Sequence, residues 1–269
     1  MNDTVTMMLN TSHMRAEVDG PIGWMIFNKP EKLNAVSLDM WEAMADIVHR
    51  FEADPAVRVI VLKGAGEKAF ISGADISQFE RARSSEETNA HYERVSEHGM
   101  DVLAVCGKPT IAMIRGYCIG GGLGIAAACD LRLAADGSKF GIPAARLGVG
   151  YGAAGVKKLM ELVGPSFTKE IFYTARHFTA AEAHGMGLVN RVLPDAALEK
   201  YTRDYCATIA DNAPRTMNTL KRTVAEISRG HAADRALCDR LVKDCFASED
   251  FIEGRRAFME KRRPVFRGV

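Results

Sequence analysis

The strongest chemical signal in the chain is Gly116-Tyr-Cys-Ile-Gly120-Gly121-Gly122-Leu-Gly124, five glycines in nine residues. The run lies between a β-branched segment, Thr110 to Ile114, and an alanine-rich one with helical character. Backbone N–H groups at the start of a helix have no partner inside it, and glycine lets an oxygen approach them closely. That chemistry suits an anionic oxygen, or one that becomes anionic. A dinucleotide fingerprint, Gly122-x-Gly124-x-x-Ala127, fits in spacing. However, the strand expected next, Leu131 to Ala134, ends in no acid for a ribose. Close packing of helix on sheet is the other explanation, and the glycine run alone does not separate it from an anion site.

A second segment separates them. Glu67-Lys-Ala-Phe-Ile-Ser-Gly73-Ala74-Asp75-Ile76 follows a strand-like stretch and turns at Ser72-Gly73, exposing a second N–H near Ala74. Two backbone donors from separate turns are what an oxyanion hole requires.

The elements that must hold these turns can be read from periodicity. Arg15 to Asn28, broken at Asp19-Gly20-Pro21, predicts a hairpin. Ser37 is placed to cap a helix whose apolar residues Met40, Met44, Ile47 and Phe51 recur at spacings of three and four. Val57 to Leu62 predicts a buried strand, Glu86 to Val105 a mixed helix, and Thr110 to Ile114 and Leu131 to Ala134 further strands. Alternating strands and helices with long crossovers imply parallel pairing. From about Ala153 the pattern turns to helix after helix. Pro214 opens one with the stripe Met217, Leu220, Val224 and Ile227; Ser248-Glu249-Asp250 opens the last, whose apolar face carries Phe251 and Phe258.

Composition removes whole classes of function. The 269 residues balance 35 Lys+Arg against 34 Asp+Glu, a net charge of +1, which argues against a broad basic nucleic-acid surface. The chain is long enough for one large domain, or one domain and a small appendage. Met1 to Arg15 does not read as a signal peptide, and the uncharged stretch Tyr117 to Cys129 is far short of the roughly 20 residues of a membrane span. The six cysteines form no C-x-x-C pair and no cluster with histidine. They are expected to be small buried residues, reduced in a cytoplasmic protein that binds neither metal nor membrane.

With these motifs the chain resembles the crotonase (enoyl-CoA hydratase/isomerase) family. The matching stretches are Asn28 to Ala35, Lys68 to Ile76, Lys108-Pro through Gly122, Cys129-Asp130, Phe140-Gly141, Phe178 to Gly185, Leu188-Val-Asn, Ser248 to Phe251 and Ala257-Phe258. They cover nearly the whole chain in family order. The resemblance implies an α/β fold, a spiral of repeated ββα units over residues 1–195, with a helical trimerisation region over 196–269. It also implies a homotrimer or a dimer of trimers. The substrates would be acyl-CoA thioesters, with no permanently bound cofactor and coenzyme A as part of the substrate. The backbone N–H groups of Ala74 and Gly121 would receive the thioester oxygen. Lys32, Ala35, Asp75, Ile76 and Lys261 would join them along the substrate.

The departures from the family pattern matter as much. The two hydratase glutamates fall at Gly124 and Ala144, and the aspartate of some dehalogenases and isomerases falls at Gly152. Tyr151 stands where the family's methylmalonyl-CoA decarboxylases carry a tyrosine, which makes it the candidate proton donor, although those enzymes have histidine at the position of Ala74. Three readings therefore stand: a hydratase/isomerase-like enzyme, a decarboxylase or other C–C lyase or hydrolase using Tyr151, and a non-catalytic acyl-CoA binder. His91, Glu93, Glu97 and His98 are read as a solvated helix face, Arg146 as an ion-pair partner, and Asp75 and Asp130 by residue type as turn and cap residues. Residues 255–269 hold six basic side chains and one acid, leaving the rest of the chain at −4. In relatives that segment lies near the nucleotide of CoA.

Overall fold

The hairpin forms as its pattern predicts. In the computed structural model, which describes residues 4–75 and 86–269, β2 (Met14–Asp19) and β3 (Ile22–Phe27) pair antiparallel through a two-residue turn, Gly20-Pro21, with Gly20 at φ +57°. β1 (Val5–Met7) extends the sheet at one edge. On the other side β3 continues in parallel to β4 (Val59–Gly64), β6 (Thr110–Ile114), β8 (Leu131–Ala135) and β11 (Arg191–Leu193), giving seven strands.

The central strands are mostly apolar, with Lys63, Thr110 and Arg132 the exceptions in β4, β6 and β8, because both faces of the sheet are covered. Met25, Phe27, Ile60, Leu62, Ala112 and Ile114 point into the main core with α1 (Leu38–Ala53). The alternating residues Trp24, Ile26, Val59, Val61, Ile111 and Met113 pack on the other side against Leu198 and Cys206 of α7 (Leu198–Ala210). In α1 the stripe Met40, Met44, Ile47 and Phe51 is fully buried, and Ser37 occupies its N-cap position without a side-chain bond to the helix.

A second sheet carries the turns of interest. β5 (Ala69–Ile71), β7 (Tyr117–Ile119) and β9 (Lys139–Gly141) run parallel, and β10 (Phe178–Thr179) closes the edge antiparallel to β9. Thus β7 intervenes between Ile114 and the glycine-rich helix α3 (Gly121–Ala128), and β10 and β11 interrupt the helical half. The remaining α-helices among the described residues are α2 (Glu86–Val105), α4 (Ala144–Leu147), α5 (Ala153–Thr174), α6 (Ala180–Gly185), α8 (Pro214–Ser228), α9 (Arg235–Phe246) and α10 (Glu249–Glu260).

Asp130 is structural. Its carboxylate accepts from the N–H and hydroxyl of Thr110 and from Lys221 Nζ at 2.9 Å, tying β6 to α8. The C-terminal helices leave apolar surface on the single chain: Leu220 and Ile227 of α8 are 65% and 70% exposed, and Phe258 of α10 is 83% exposed. The basic tail folds back on α10, where Arg262 pairs with Glu253 and Glu260 and the Asp250 carboxylate accepts from the amides of Arg267 and Gly268.

Candidate active site

The two turns singled out by sequence follow neighbouring parallel strands, whose register shifts between Ala69 and Ile71. Ile71 of β5 pairs with Cys118 of β7, so Ala74 and Gly121 each lie three residues past a paired position. Adjacent strands run roughly 4.8 Å apart, and open α/β sheets offer ligand sites beyond their carboxyl ends. The turns also touch. A Cβ built on Gly120 would sit 3.8 Å from the Cα of Gly73, and one built on Gly73 would sit 3.5 Å from the Ile119 carbonyl oxygen. Gly120 adopts φ +55° and Gly73 φ +121°, conformations that favour glycine.

The strap Lys29–Val36 aims the first of these amides. Val36 N–H donates to the Gly73 carbonyl at 2.8 Å, and Asp75 N–H donates to the Val36 carbonyl at 2.9 Å. In such a parallel bridge the N–H of Ala74 itself turns away from the strap. The strap holds two non-glycine residues in left-handed conformations, Leu33 and Asn34. Each costs on the order of 1 kcal/mol and persists only where surroundings enforce it. Asn34 enforces it here: fully buried, its side chain accepts from Lys29 N–H and donates to the carbonyls of Ala65 and Ala69. Ala35 follows, buried at the foot of the strap.

Beside Ala74, the Asp75 carboxylate meets Lys29 Nζ at 2.6 Å and Lys32 Nζ at 3.3 Å. Lys29 is buried, whereas the Lys32 side chain, paired with Asp75, is 46% exposed next to the Ala74 turn. Asp75 therefore does more than close a turn. Its side chain ties the strap to the turn.

The second amide belongs to the first residue of α3. Among the described residues, neither the Ala74 nor the Gly121 N–H donates to a protein acceptor. Gly122 leaves no space for a side chain, since a Cβ there would strike the carbonyl oxygen and side chain of Ile71. That contact seats α3 directly on β5, so close packing and the open helix start coexist. At the other end of α3, the buried Arg132 guanidinium donates to the carbonyls of Cys129 at 2.7 Å and Leu188 at 2.8 Å. A cation at a helix C-terminus opposes the negative end of the helix dipole. Trp41 of α1 walls the site: its Cζ2 lies 4.0 Å from where a Gly121 Cβ would be, and its Nε1 donates to the Tyr92 hydroxyl at 3.0 Å.

The positions without carboxylates are both near. Gly124 lies one turn along α3 from Gly121, and a Cβ there would face Met100 Sδ at 3.7 Å, with nothing closer among the described residues. Ala144 is buried three residues past the end of β9, the next strand of the same sheet. Tyr151 precedes α5, is 41% exposed, and stands edge-on to Phe172 with centroids 5.0 Å apart.

Other expected residues separate from this group. Ile76 lies outside the described residues. Lys261 is the left-handed C-cap of α10, and among the described residues no contact joins it to Lys32 or Asp75. Arg146 is exposed and, among the described residues, has no ion pair. His91, Glu93, Glu97 and His98 are exposed, as expected of a solvated helix face, and His91 and His98 border a surface groove with Trp41 and Arg94. Burial raises the Cys118 thiol and pushes Cys129 up to about 12, so neither is a thiolate nucleophile near neutral pH. Cys238 and Cys245 are only half-buried, unlike the other four. Lys29, Trp41 and Arg132 gave no sequence signal beyond their place in a motif or stripe.

A family model described as enoyl-CoA hydratase/isomerase matches residues 17–269. The short-chain-enoyl-CoA hydratase of Clostridium acetobutylicum is 33% identical over 251 residues, covering 92% of this chain and 94% of that protein. The crotonyl-CoA hydratase of Syntrophomonas wolfei is 32% identical over 254 residues, covering 93% and 96%. Among solved structures, an enoyl-CoA hydratase from Bacillus anthracis superposes with a TM-score of 0.86 at 32% identity, covering 96% of this chain and 100% of that one. An enoyl-CoA hydratase/carnithine racemase from Magnetospirillum magneticum gives a TM-score of 0.91 at 32% identity, covering 97% of each chain.

Proposed function

The chain belongs to the enoyl-CoA hydratase/isomerase family, and we propose that it is an enzyme that holds an acyl-CoA thioester with its carbonyl oxygen between the amides of Ala74 and Gly121. The observation that carries this reading is the pairing of β5 with β7, after which the Ala74 and Gly121 amides find no protein acceptor among the described residues. As the thioester oxygen takes on enolate charge, each amide stabilises it more than it stabilises the neutral carbonyl. Lys32 and the strap at Ala35 would face the CoA moiety. The Lys32 side chain, 46% exposed and paired with Asp75, would add positive charge there.

Which reaction follows depends on the proton-transfer groups. Hydration in this family uses two carboxylates, and Gly124 and Ala144 supply neither. Tyr151, partly exposed ahead of α5, favours a second reading in which an enolate formed by C–C cleavage is protonated by the phenol. The exposed apolar residues of α8 and α10 support an oligomer assembled through residues 196–269, with Lys261 reaching a neighbouring subunit's nucleotide.

The test is a panel of enoyl, malonyl-type and β-keto CoA thioesters offered to the purified protein. Turnover of one class identifies the reaction. Binding without turnover across all three would make the protein a non-catalytic acyl-CoA binder.

A further inference from the structure

Trp41 stands close to both turns of the site. It is the fourth residue of α1, a helix that starts two residues past the bridge between Val36 and Ala74. Its Cζ2 lies 4.0 Å from a Cβ built on Gly121. A Cβ sits about 2.5 Å from its own amide nitrogen, so the indole edge is within about 6.5 Å of the Gly121 N–H. A methyl group at Gly121 would already touch the ring, which leaves no passage for a carbon chain between the ring and α3. One turn along, Met100 Sδ lies 3.7 Å from a Cβ built on Gly124 and closes the gap between α2 and α3 in the same way.

The indole is held from several sides. It is buried, and its Nε1 donates to the Tyr92 hydroxyl at 3.0 Å. Gly99 lets α2 close over it, since a Cβ there would lie 3.4 Å from Trp41 Cε3 and only 2.9 Å from Met44 Cε. Trp41 also lines a surface groove of about 400 Å³ between α1 and α2, together with Ala45 and Val95. Among the described residues, it is the one that both borders this groove and comes within 4 Å of the Gly121 side-chain position. The packed ring therefore keeps the groove and the Gly121 turn apart.

We propose that Trp41 sets the acyl-chain length: the acyl group runs toward α1 and ends against the indole, so the site takes short chains and rejects long ones. Tyr92 is a positioning residue that holds the ring across the path. This rests on the thioester reading above, with its carbonyl at Ala74 and Gly121. A longer chain gains no room in the groove, because it would first have to displace a buried ring from its bond to Tyr92.

Calorimetric Kd values for butyryl-, hexanoyl- and octanoyl-CoA test it on the full chain. Octanoyl-CoA binds the parent protein at least about tenfold more weakly than butyryl-CoA, the cost of overpacking a filled wall. Trp41→Ala joins the site to the groove and reverses the order, octanoyl-CoA then binding about tenfold more tightly as its added methylenes find apolar surface. Trp41→Leu keeps more of the packing of α1, in case the alanine variant unfolds, and moves the limit to hexanoyl-CoA. Tyr92→Phe narrows the parent ratio without reversing it. A ring that only supports the fold would weaken all three thioesters alike on replacement. An unchanged octanoyl-to-butyryl ratio in the folded Trp41 variants, or equal Kd values in the parent protein, overturns the inference and leaves the thioester reading intact. Failure of the parent protein to bind any of the three overturns both.

Discussion

Lys29 Nζ lies 2.6 Å from the Asp75 carboxylate, with the two side chains only 7% and 4% exposed, immediately beside the Ala74 amide. A buried ion pair is costly to break from one side, because the charge left behind stays desolvated. Here the pair spans strap and turn, so breaking it also releases the amide.

Lys29→Met is therefore expected to destabilise the fold by about 3 kcal/mol, since Lys32 at 3.3 Å compensates only in part. Denaturant unfolding measures it. A loss under about 1 kcal/mol would mean that solvent already screens the pair.

Gly121→Pro removes one donor while respecting the helix, because proline is favoured at a first helical position. Turnover of the true substrate should drop by about 10²–10³-fold with the melting temperature nearly unchanged. Near-normal turnover would end the role of this amide.

Gly124→Glu supplies a carboxylate where, among the described residues, only Met100 Sδ comes within 4 Å. It also removes a mid-helix glycine, a gain of about 0.5–1 kcal/mol. Together with Ala144→Glu it should raise crotonyl-CoA hydration by about 10²-fold or more. A double variant that folds and shows no increase would mean that more than two carboxylates separates this site from a hydratase.

Tyr151→Phe keeps the edge contact with Phe172 and deletes only the hydroxyl. If the phenol gives a proton in the rate-limiting step, the rate falls by about 10²-fold. That fall is the expected outcome in steady-state kinetics, and an unchanged kcat would reduce Tyr151 to a ring against Phe172.

The Arg262 guanidinium and the Val265 N–H hold the Glu253 carboxyl down to about 2 from 4.5. A carboxyl depressed in the folded state stabilises fully above pH 4.5 and loses that contribution as pH falls toward 2. Melting temperatures recorded across this window should fall less steeply for Glu253→Gln than for the parent chain. Parallel curves would mean that the tail is not anchored there.

Long elements were legible because they repeat their pattern many times. Glu86–Val105 and Thr110–Ile114 form over the predicted residues, and the hairpin turns at Gly20-Pro21. β7, β9, β10 and β11 span two or three residues each, too few for a period to register, and their pairing is set by tertiary contacts. The glycine spacing pointed to the Gly121 and Ala74 turns, but not to the pairing of β5 with β7 that brings them together. Lys29 and Asp75 are 46 positions apart, and nothing local to either residue names the other. Arg146 was expected to find an acid, yet it extends from a four-residue helix with none in reach among the described residues. The α8 stripe forms on one helix, yet Leu220, Val224 and Ile227 are exposed on the single chain.

Both candidate donors belong to the main chain, and this bears on inhibition. A ligand that presents an anionic oxygen to the amides of Ala74 and Gly121 would meet the same two groups in nearly every point variant, because only proline deletes an N–H. Resistance would then have to arise in the walls, at residues such as Trp41 or Tyr151, where changes also alter what the enzyme accepts. An oxyanion mimic with a minimal acyl group would leave those walls little to act on.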